Sequence, residues 1–350
     1  MKLGIIGGAG LLGATTAYCV AREGIAREIM LADVRENVAI SHAMDIEQAV
    51  CEYSSVGISA AGIDDLQNCD IVLNAAGVPE MSAASRDDYL AGNMKIICEL
   101  AENISRWSAA PVILSATNPI DVLNYALYNM TGLPRERFIG FSRNDTLRFK
   151  WAIAKETGIP ASQIEALVIG EHGEGQVPVF SSVRVGASET PDRGHRPPSG
   201  EDIDTPRVQS AAGSRIQYGA PGHTVGGERE SNSAESKQKL EFAADRKERI
   251  IARVNSWFGE YQKLNSGRSS GWTSAVGLCR IIEAISTDSD EVIPCSVIPG
   301  GEYGFSGLSI GLPVRLGRAG VREIVEVGLD GEEKASLSLA CAKVKKLIGM

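Results

Sequence analysis

Paired cysteines are missing from this chain. Its seven cysteines (Cys19, Cys51, Cys69, Cys98, Cys279, Cys295, Cys341) stand singly along 350 residues. None forms a C-x-x-C pair, and the odd number suits neither a disulfide framework nor a zinc site. No metal is expected, and a reducing cytoplasm is the expected location. A basic excess is missing too. With 44 acidic against 35 basic side chains the formal net charge is −9, which argues against a nucleic-acid partner, whose phosphates call for a basic face. The short run Lys343, Lys345, Lys346 reads as the solvated side of a last helix. No apolar run reaches the length of a membrane span, so no membrane partner is expected. The opening MKLGIIGGAG enters a strand at residue 2, without the charged and apolar regions of a signal peptide.

What the chain does have is 43% hydrophobic residues, enough for a sizeable core in one large unit or two domains. In the first half, apolar runs at Lys2–Ile6, Glu28–Ala32, Asp70–Ala75 and Pro111–Ala116 alternate with helical patterns such as Leu12–Glu23 and Asp87–Arg106. Continuous apolar strands separated by helices predict a parallel sheet covered on both faces. The second half predicts a helix around Asp145–Thr157, then strands at Ala166–Ile169 and Val177–Val185. A helical stretch from about Leu240, strands at Val292–Val297, Ser309–Leu316 and Ile324–Val327, and a helix from Gly331 complete it. The fold class is therefore α/β: a Rossmann-type doubly wound parallel sheet over 1–143, followed by an α+β substrate domain over 144–350.

One segment departs from this rhythm. From about 187 to 239 the chain is dense in Gly, Pro, Ser, Asp and Glu. Such a composition buries too little apolar surface to offset its ordering entropy, and it reads as a flexible insertion. His195 and His223 fall inside it, poorly placed for preorganised chemistry.

Gly8-Ala9-Gly10-Leu11-Leu12-Gly13 follows the first strand and opens the first helix. Gly8 permits a tight turn, Gly10 lets backbone approach a pyrophosphate, and Gly13 allows close helix–strand packing, with the helix N-terminus facing phosphate. A lone G-x-G-x-x-G is weak, since glycines mark ordinary turns. Here Asp33 ends the second strand twenty positions after Gly13, where a carboxylate accepts hydrogen bonds from adenosine ribose hydroxyls and repels a 2′-phosphate. NAD rather than NADP is the expected cofactor.

In the second half, Gly170-Glu171-His172-Gly173 follows a strand-like run. A histidine among flexible residues can present its imidazole to a cleft, and its ordinary pKa near neutrality suits acid–base work. Upstream, Asp145 and Arg148 share one helix face. A carboxylate can orient an imidazole, and an arginine can hold a substrate carboxylate through two parallel hydrogen bonds. Each feature has a plain structural alternative: an i, i+3 ion pair on a surface, or a core histidine.

Taken in order, these residues resemble the L-lactate/L-malate dehydrogenase family, from residue 1 to the C-terminus apart from the insertion. The matching stretches are IGGAGLLG, LADV, DIVLNAAGVP, SRDDYLAGN, ATNPIDV, NDTLRFK, IGEHGEGQVPVFS and GWTSA. The resemblance implies an NAD-dependent oxidoreductase that interconverts a small L-2-hydroxy acid and its 2-oxo acid by hydride transfer. It makes His172 the proton acceptor for the substrate hydroxyl, Asp145 its orienting partner, and Arg148 the clamp on the substrate carboxylate. Arg86, in the small, polar stretch 79–93, matches a lid arginine that polarises the substrate carbonyl. Asn118 matches the asparagine between cofactor and substrate, and Thr273 a substrate-pocket threonine of lactate-type members. Leu11, Leu12, Ala76, Gly77 and Asn93 join Gly8, Gly10, Gly13, Asp33 and Asn118 in the implied cofactor site. A homodimer or homotetramer is implied as well.

The chain leaves the family pattern at the substrate selector, six positions before the lid arginine. Malate-type members carry Arg there and lactate-type members Gln; this chain has Glu80. An acid would repel a second substrate carboxylate, and beside a methyl it would be a buried charge without a partner. Either the substrate's far end is cationic or hydroxyl-bearing, or the loop is shifted and Glu80 faces water. In that case the enzyme is an ordinary malate or lactate dehydrogenase. GRSSG at 267–271 is longer than is usual in the family, and Arg268 is a candidate extra substrate contact. His42 reads as structural. Two rival classes are an NAD-dependent glycosidase, which would need a Cys–His metal site this chain does not offer, and a catalytically silent NAD-binding relative, which need not retain His172, Asp145, Arg148 and Arg86 together.

Overall fold

The computed structural model describes residues 1–78, 86–186, 237–266 and 270–349, without the side chains of Arg86 and Asp87. Glu80, Arg268, His195, His223 and the insertion between 187 and 236 lie outside the described residues. The first half alternates strand and helix: β1 (Lys2–Ile6), α1 (Leu11–Arg22), β2 (Glu28–Ala32), α2 (Glu36–Val50), β3 (Gly57–Ala60), β4 (Ile71–Asn74), α3 (Arg86–Arg106), β5 (Val112–Ser115), α4 (Ile120–Thr131) and β6 (Phe138–Gly140). β4 and β5 are buried at every position, as strands covered on both faces must be. The order is β3-β2-β1-β4-β5-β6, all parallel. The chain reverses direction across the sheet between β1 and β4, and such a switch point opens a crevice at the strands' carboxyl ends.

The second half comprises α5 (Arg143–Thr157), β7 (Ile164–Glu165), β8 (Val168–Gly170), β9 (Gln176–Pro178), β10 (Arg184–Val185), β11 (Gln238–Lys239), α6 (Ala244–Lys263), α7 (Gly271–Thr287), β12 (Val292–Val297), β13 (Ile310–Gly317), β14 (Gly320–Ile324) and α8 (Gly331–Leu347). Among the described residues the sheet does not stop at β6. It continues β6-β12-β13-β8-β9, now antiparallel, with β14 beside β13. The seam is a single register pair, Ser296 against Gly140. A Cβ at Gly140 would stand 2.7 Å from the Ser296 Cβ, so only glycine lets the strands meet.

Several predicted boundaries change. Of the run expected at Ala166–Ile169 only the second half is strand, in β8, with β7 lying before the run, and that at Val177–Val185 is broken by a 3-10 turn at Phe180–Ser182. The strand expected at Ile324–Val327 lies earlier, as β14. A two-residue turn pairs Gly317 with Gly320 (φ +107°) and starts the return strand at once. The helix expected from Leu240 starts at Ala244. The insertion ends sooner than 239, because Gln238–Lys239 is β11, paired with β10 at Val185↔Gln238.

That pairing gives the insertion a stem. Deleting Ser188–Ser236 leaves Gly186, Ala187 and Lys237 between paired residues, a three-residue hairpin connection. The shortened protein is expected to fold, with a Tm within about 5 °C of the parent and activity within a few-fold. Calorimetry and steady-state rates check this, and an insoluble or inactive product would refute it.

Candidate active site

The glycine loop after β1 is built by exclusion of side chains. Gly7 has φ +86°, and a Cβ there would lie 2.7 Å from the Ala75 carbonyl carbon. At Gly8 a Cβ would meet Leu31 at 2.8 Å, and at Gly13 it would meet the Gly7 carbonyl oxygen at 2.3 Å. Gly10 is the N-cap of α1, no side chain caps that end, and its first turn carries no acid. The helix therefore presents uncapped amides and its positive end, a cradle suited to a pyrophosphate. Asp33 follows β2 directly, 9% exposed at its side chain. Its Oδ2 accepts the Ala9 N–H at 3.0 Å and its Oδ1 accepts the Arg35 N–H at 3.0 Å, so the carboxylate is anchored to the loop. His42 Nδ1 lies 3.2 Å from the Gly8 carbonyl oxygen, bracing the same loop from α2. Leu11 is exposed and touches the face of α7 at Gly271, while Leu12 is half-buried.

Across the switch point the ends of β4 and β5 are tied by amides. Asn74 donates to Thr117 Oγ1 and accepts from the Ala76 N–H, and Thr117 Oγ1 donates to the Ala76 carbonyl. Asn93, on α3, is fully buried; its Oδ1 accepts the Val78 N–H at 2.7 Å and its Nδ2 donates to the Asn118 carbonyl at 2.7 Å. Both ends of its amide thus place backbone. Gly77 is exposed, packed so that a Cβ would press on Thr117 and Asn93, and the Asn118 side chain is exposed beside it.

His172 sits on a five-residue loop between β8 and β9. Gly170 (φ +88°) and Gly173 (φ +149°) supply its turns. The Glu171 N–H donates to the Gly175 carbonyl, and the Glu171 carboxylate accepts the Gly175 N–H at 2.6 Å and Lys343 of α8 at 3.0 Å. From the first turn of α5, Asp145 Oδ2 lies 2.6 Å from His172 Nδ1. A carboxylate there accepts a hydrogen bond from Nδ1–H, holds that proton on Nδ1 and leaves Nε2 for exchange. Burial opposes the imidazolium, but the charge and hydrogen bond of Asp145, with Asp121 beyond, outweigh burial and Arg148, and the His172 pKa stands above its ordinary value.

Arg148, one turn beyond Asp145, donates from Nη1 to Asp145 Oδ1 at 3.3 Å. Its guanidinium carbon lies 4.6 Å from the Trp257 ring centre, over its face, an arrangement that fixes the plane of the fork. Burial lowers its pKa against the pull of Asp145, and its buried Nε has no protein partner. Thr273 is half-buried in the first turn of α7. The structure thus brings His172, Asp145 and Arg148 into one contact chain; Arg86 begins α3, its side chain outside the described residues.

Two residues escaped the sequence reading. Asp121, in α4, accepts the His172 backbone N–H at 2.8 Å; an acid inside the apolar run Ile120–Leu123 was the available signal. Trp257 extends the stripe Ile250, Val254, Trp257, Tyr261 along α6, and that helical spacing could have pointed to it. Among the described residues there is no group of three or more His, Cys, Asp or Glu that could hold a metal ion, and no helix long and apolar enough to cross a membrane.

Residues 1–140 match the NAD-binding domain of lactate/malate dehydrogenases, and residues 143–195 and 229–349 match their alpha/beta C-terminal domain. A malate dehydrogenase of Salinibacter ruber is 30% identical over 348 residues, 98% of this chain and 95% of that protein. An L-lactate dehydrogenase of Clostridium perfringens is 27% identical over 96% of this chain and 92% of its own length. Among solved structures, the malate dehydrogenase of Aeropyrum pernix superposes with a TM-score of 0.79 at 26% identity, covering 99% of this chain and 97% of that one.

Proposed function

Since the chain belongs to the lactate/malate dehydrogenase family and is an NAD-dependent 2-hydroxy acid dehydrogenase, we propose that it acts on a small L-2-hydroxy acid other than malate or lactate, one whose far end is cationic or hydroxyl-bearing. The observation that carries this is Glu80 at the selector position. A carboxylate there repels the second carboxylate of oxaloacetate and leaves an unpaired charge beside the methyl of pyruvate.

NAD, when bound, supplies the hydride acceptor. The chain's residues do the rest. Neutral His172 takes the hydroxyl proton at Nε2 while Asp145 stabilises the imidazolium that forms. Arg148 holds the substrate carboxylate on the edge of its fork not spent on Asp145, its plane fixed by Trp257. Asn118 and Thr273 flank the substrate. Arg86 stabilises negative charge on the carbonyl oxygen.

The test is NADH oxidation with a panel of 2-oxo acids ending in an amine, a guanidinium, a hydroxyl, a carboxylate or a methyl. Highest kcat/KM on a cationic or hydroxyl-bearing acid supports the proposal. A clear preference for oxaloacetate or pyruvate would install the second reading, an ordinary malate or lactate dehydrogenase with a shifted loop, which the names of the relatives favour.

Cofactor choice offers a further check. NAD is expected to be preferred strongly over NADP, and Asp33→Ser to erode that preference by roughly tenfold or more as the charge that repels a 2′-phosphate is removed. Equal use of both cofactors by the unaltered protein would count against this role for Asp33. A homodimer or homotetramer in the cytoplasm completes the proposal. Exposed Ile40 and Met44 of α2, with Trp272 and Val276 of α7, support self-association, which light scattering would test.

A further inference from the structure

Asp121 is a carboxylate with no role in the mechanism above, yet it is among the most deeply buried charged groups near it. It is 3% exposed, and its neighbours Asn124, Ser296 and Ser309 are fully buried. Its Oδ2 accepts the His172 backbone N–H at 2.8 Å, and its Oδ1 accepts the Ser296 hydroxyl at 2.5 Å. Ser296 Oγ lies 2.8 Å from Ser309 Oγ, and Asn124, one turn along α4, donates to both Ser309 Oγ and the Ser296 carbonyl. This polar track starts at the loop that bears the imidazole. It ends at the seam where the parallel and antiparallel halves of the sheet meet.

We propose that Asp121 is a second carboxylate partner of His172, a positioning residue that holds the imidazole-bearing backbone and whose charge stabilises the imidazolium. The proposal rests on His172 being the proton-exchanging group. Asp145 grips the ring, and Asp121 grips the peptide that carries it. The two act from different helices, so the imidazole is located by α4 and α5 together.

The charges facing this pair can be named. From α5 come Asp145 and Arg148, and from the loop itself Glu171, tied to Lys343 of α8. α8 also places the buried Cys341 thiol near Asp121. Burial pushes the Asp121 carboxyl up to about 6, against its hydrogen bonds from Ser296 and His172. Around neutral pH Asp121 is therefore ionised and available to favour a positive ring. An anion at this spot raises the His172 pKa, extending the protonated form to higher pH. That is the form needed to reduce a 2-oxo acid, because reduction consumes a proton from the imidazolium.

The test removes the charge and keeps the shape. In Asp121→Asn the amide oxygen still accepts the His172 N–H, and its NH2 can donate to Ser296. The chain has four histidines, so the imidazole titrations are resolvable by NMR, with His172→Asn identifying the signal. We expect the His172 titration to move down by about one unit in Asp121→Asn. Reduction should then fall roughly tenfold on the alkaline side of the shifted limb, while oxidation at high pH is kept. Ser296→Ala, which leaves Asp121 in place but makes it harder to ionise, is expected to give a smaller shift in the same direction. It stands as the test if Asp121→Asn fails to fold. An unmoved His172 titration, or equal losses in both directions at every pH, would overturn the proposal and leave Asp121 a structural anchor. The NMR shift needs no substrate, so failure of the dehydrogenase reading, inactivity on every 2-oxo acid, remains a separate result.

Discussion

His172→Asn is expected to lower turnover by about three to four orders of magnitude while NADH binding stays within a few-fold. General acid–base catalysis contributes up to about 10⁴ in rate. In the proposed mechanism a single group exchanges the proton, because Asp145 is engaged with both Arg148 and the ring. The glycine loop and Asp33 are built from β1, α1 and β2, remote from the β8–β9 loop in the sheet order, so the cofactor half has no reason to respond. Stopped-flow rates and NADH fluorescence titration separate the two effects. Near-normal turnover would remove His172 from the mechanism.

The second large effect is a change of substrate. If Glu80 faces the substrate's far end, Glu80→Arg converts a like-charge contact with oxaloacetate into an opposite-charge one. Replacing a repulsive buried contact by a paired one changes discrimination by about 3 kcal/mol, more than a hundredfold in relative kcat/KM. Glu80→Gln should favour pyruvate-like acids instead. Steady-state rates of the three forms on matched substrates at one pH decide it. An unaltered enzyme that is already efficient on oxaloacetate would mean that Glu80 points away, leaving Arg268 as a candidate reader of the second carboxylate.

The sequence made the cofactor half legible because its physics is local. β1, β2 and β12 carry the predicted bounds, since each is an apolar run stopped by a turn or a polar residue. The glycine loop was readable for the same reason: each glycine's necessity lies within a few residues or one strand away. Asp145 and Arg148 were paired correctly because three residues on a helix are always neighbours. What remained hidden was set by partners far along the chain. Asp121 meets His172 across fifty-one positions, which no periodicity encodes. β8 begins at Val168 and pairs with β13, and in the 3-10 turn the Ser181 N–H donates to Glu333 of α8, partners that hydropathy does not encode. Trp257 shares the apolar stripe of α6, and nothing in that spacing marks its ring as the face on which Arg148 lies.

The single-pair seam between β6 and β12 also bears on how the chain is made. β6 is complete once residue 140 has been synthesised, but the strand that covers its free edge arrives roughly 150 residues later, so the closing contact is of high contact order. Through that interval, which includes the whole insertion, the Rossmann half carries an uncovered strand, a template for unwanted pairing. β6 is only three residues long, and a short edge offers little to a wandering strand. A fragment ending near residue 143 would keep that edge open permanently. It would also lose Ser296, whose packing against Gly140 fills the space left by the missing side chain.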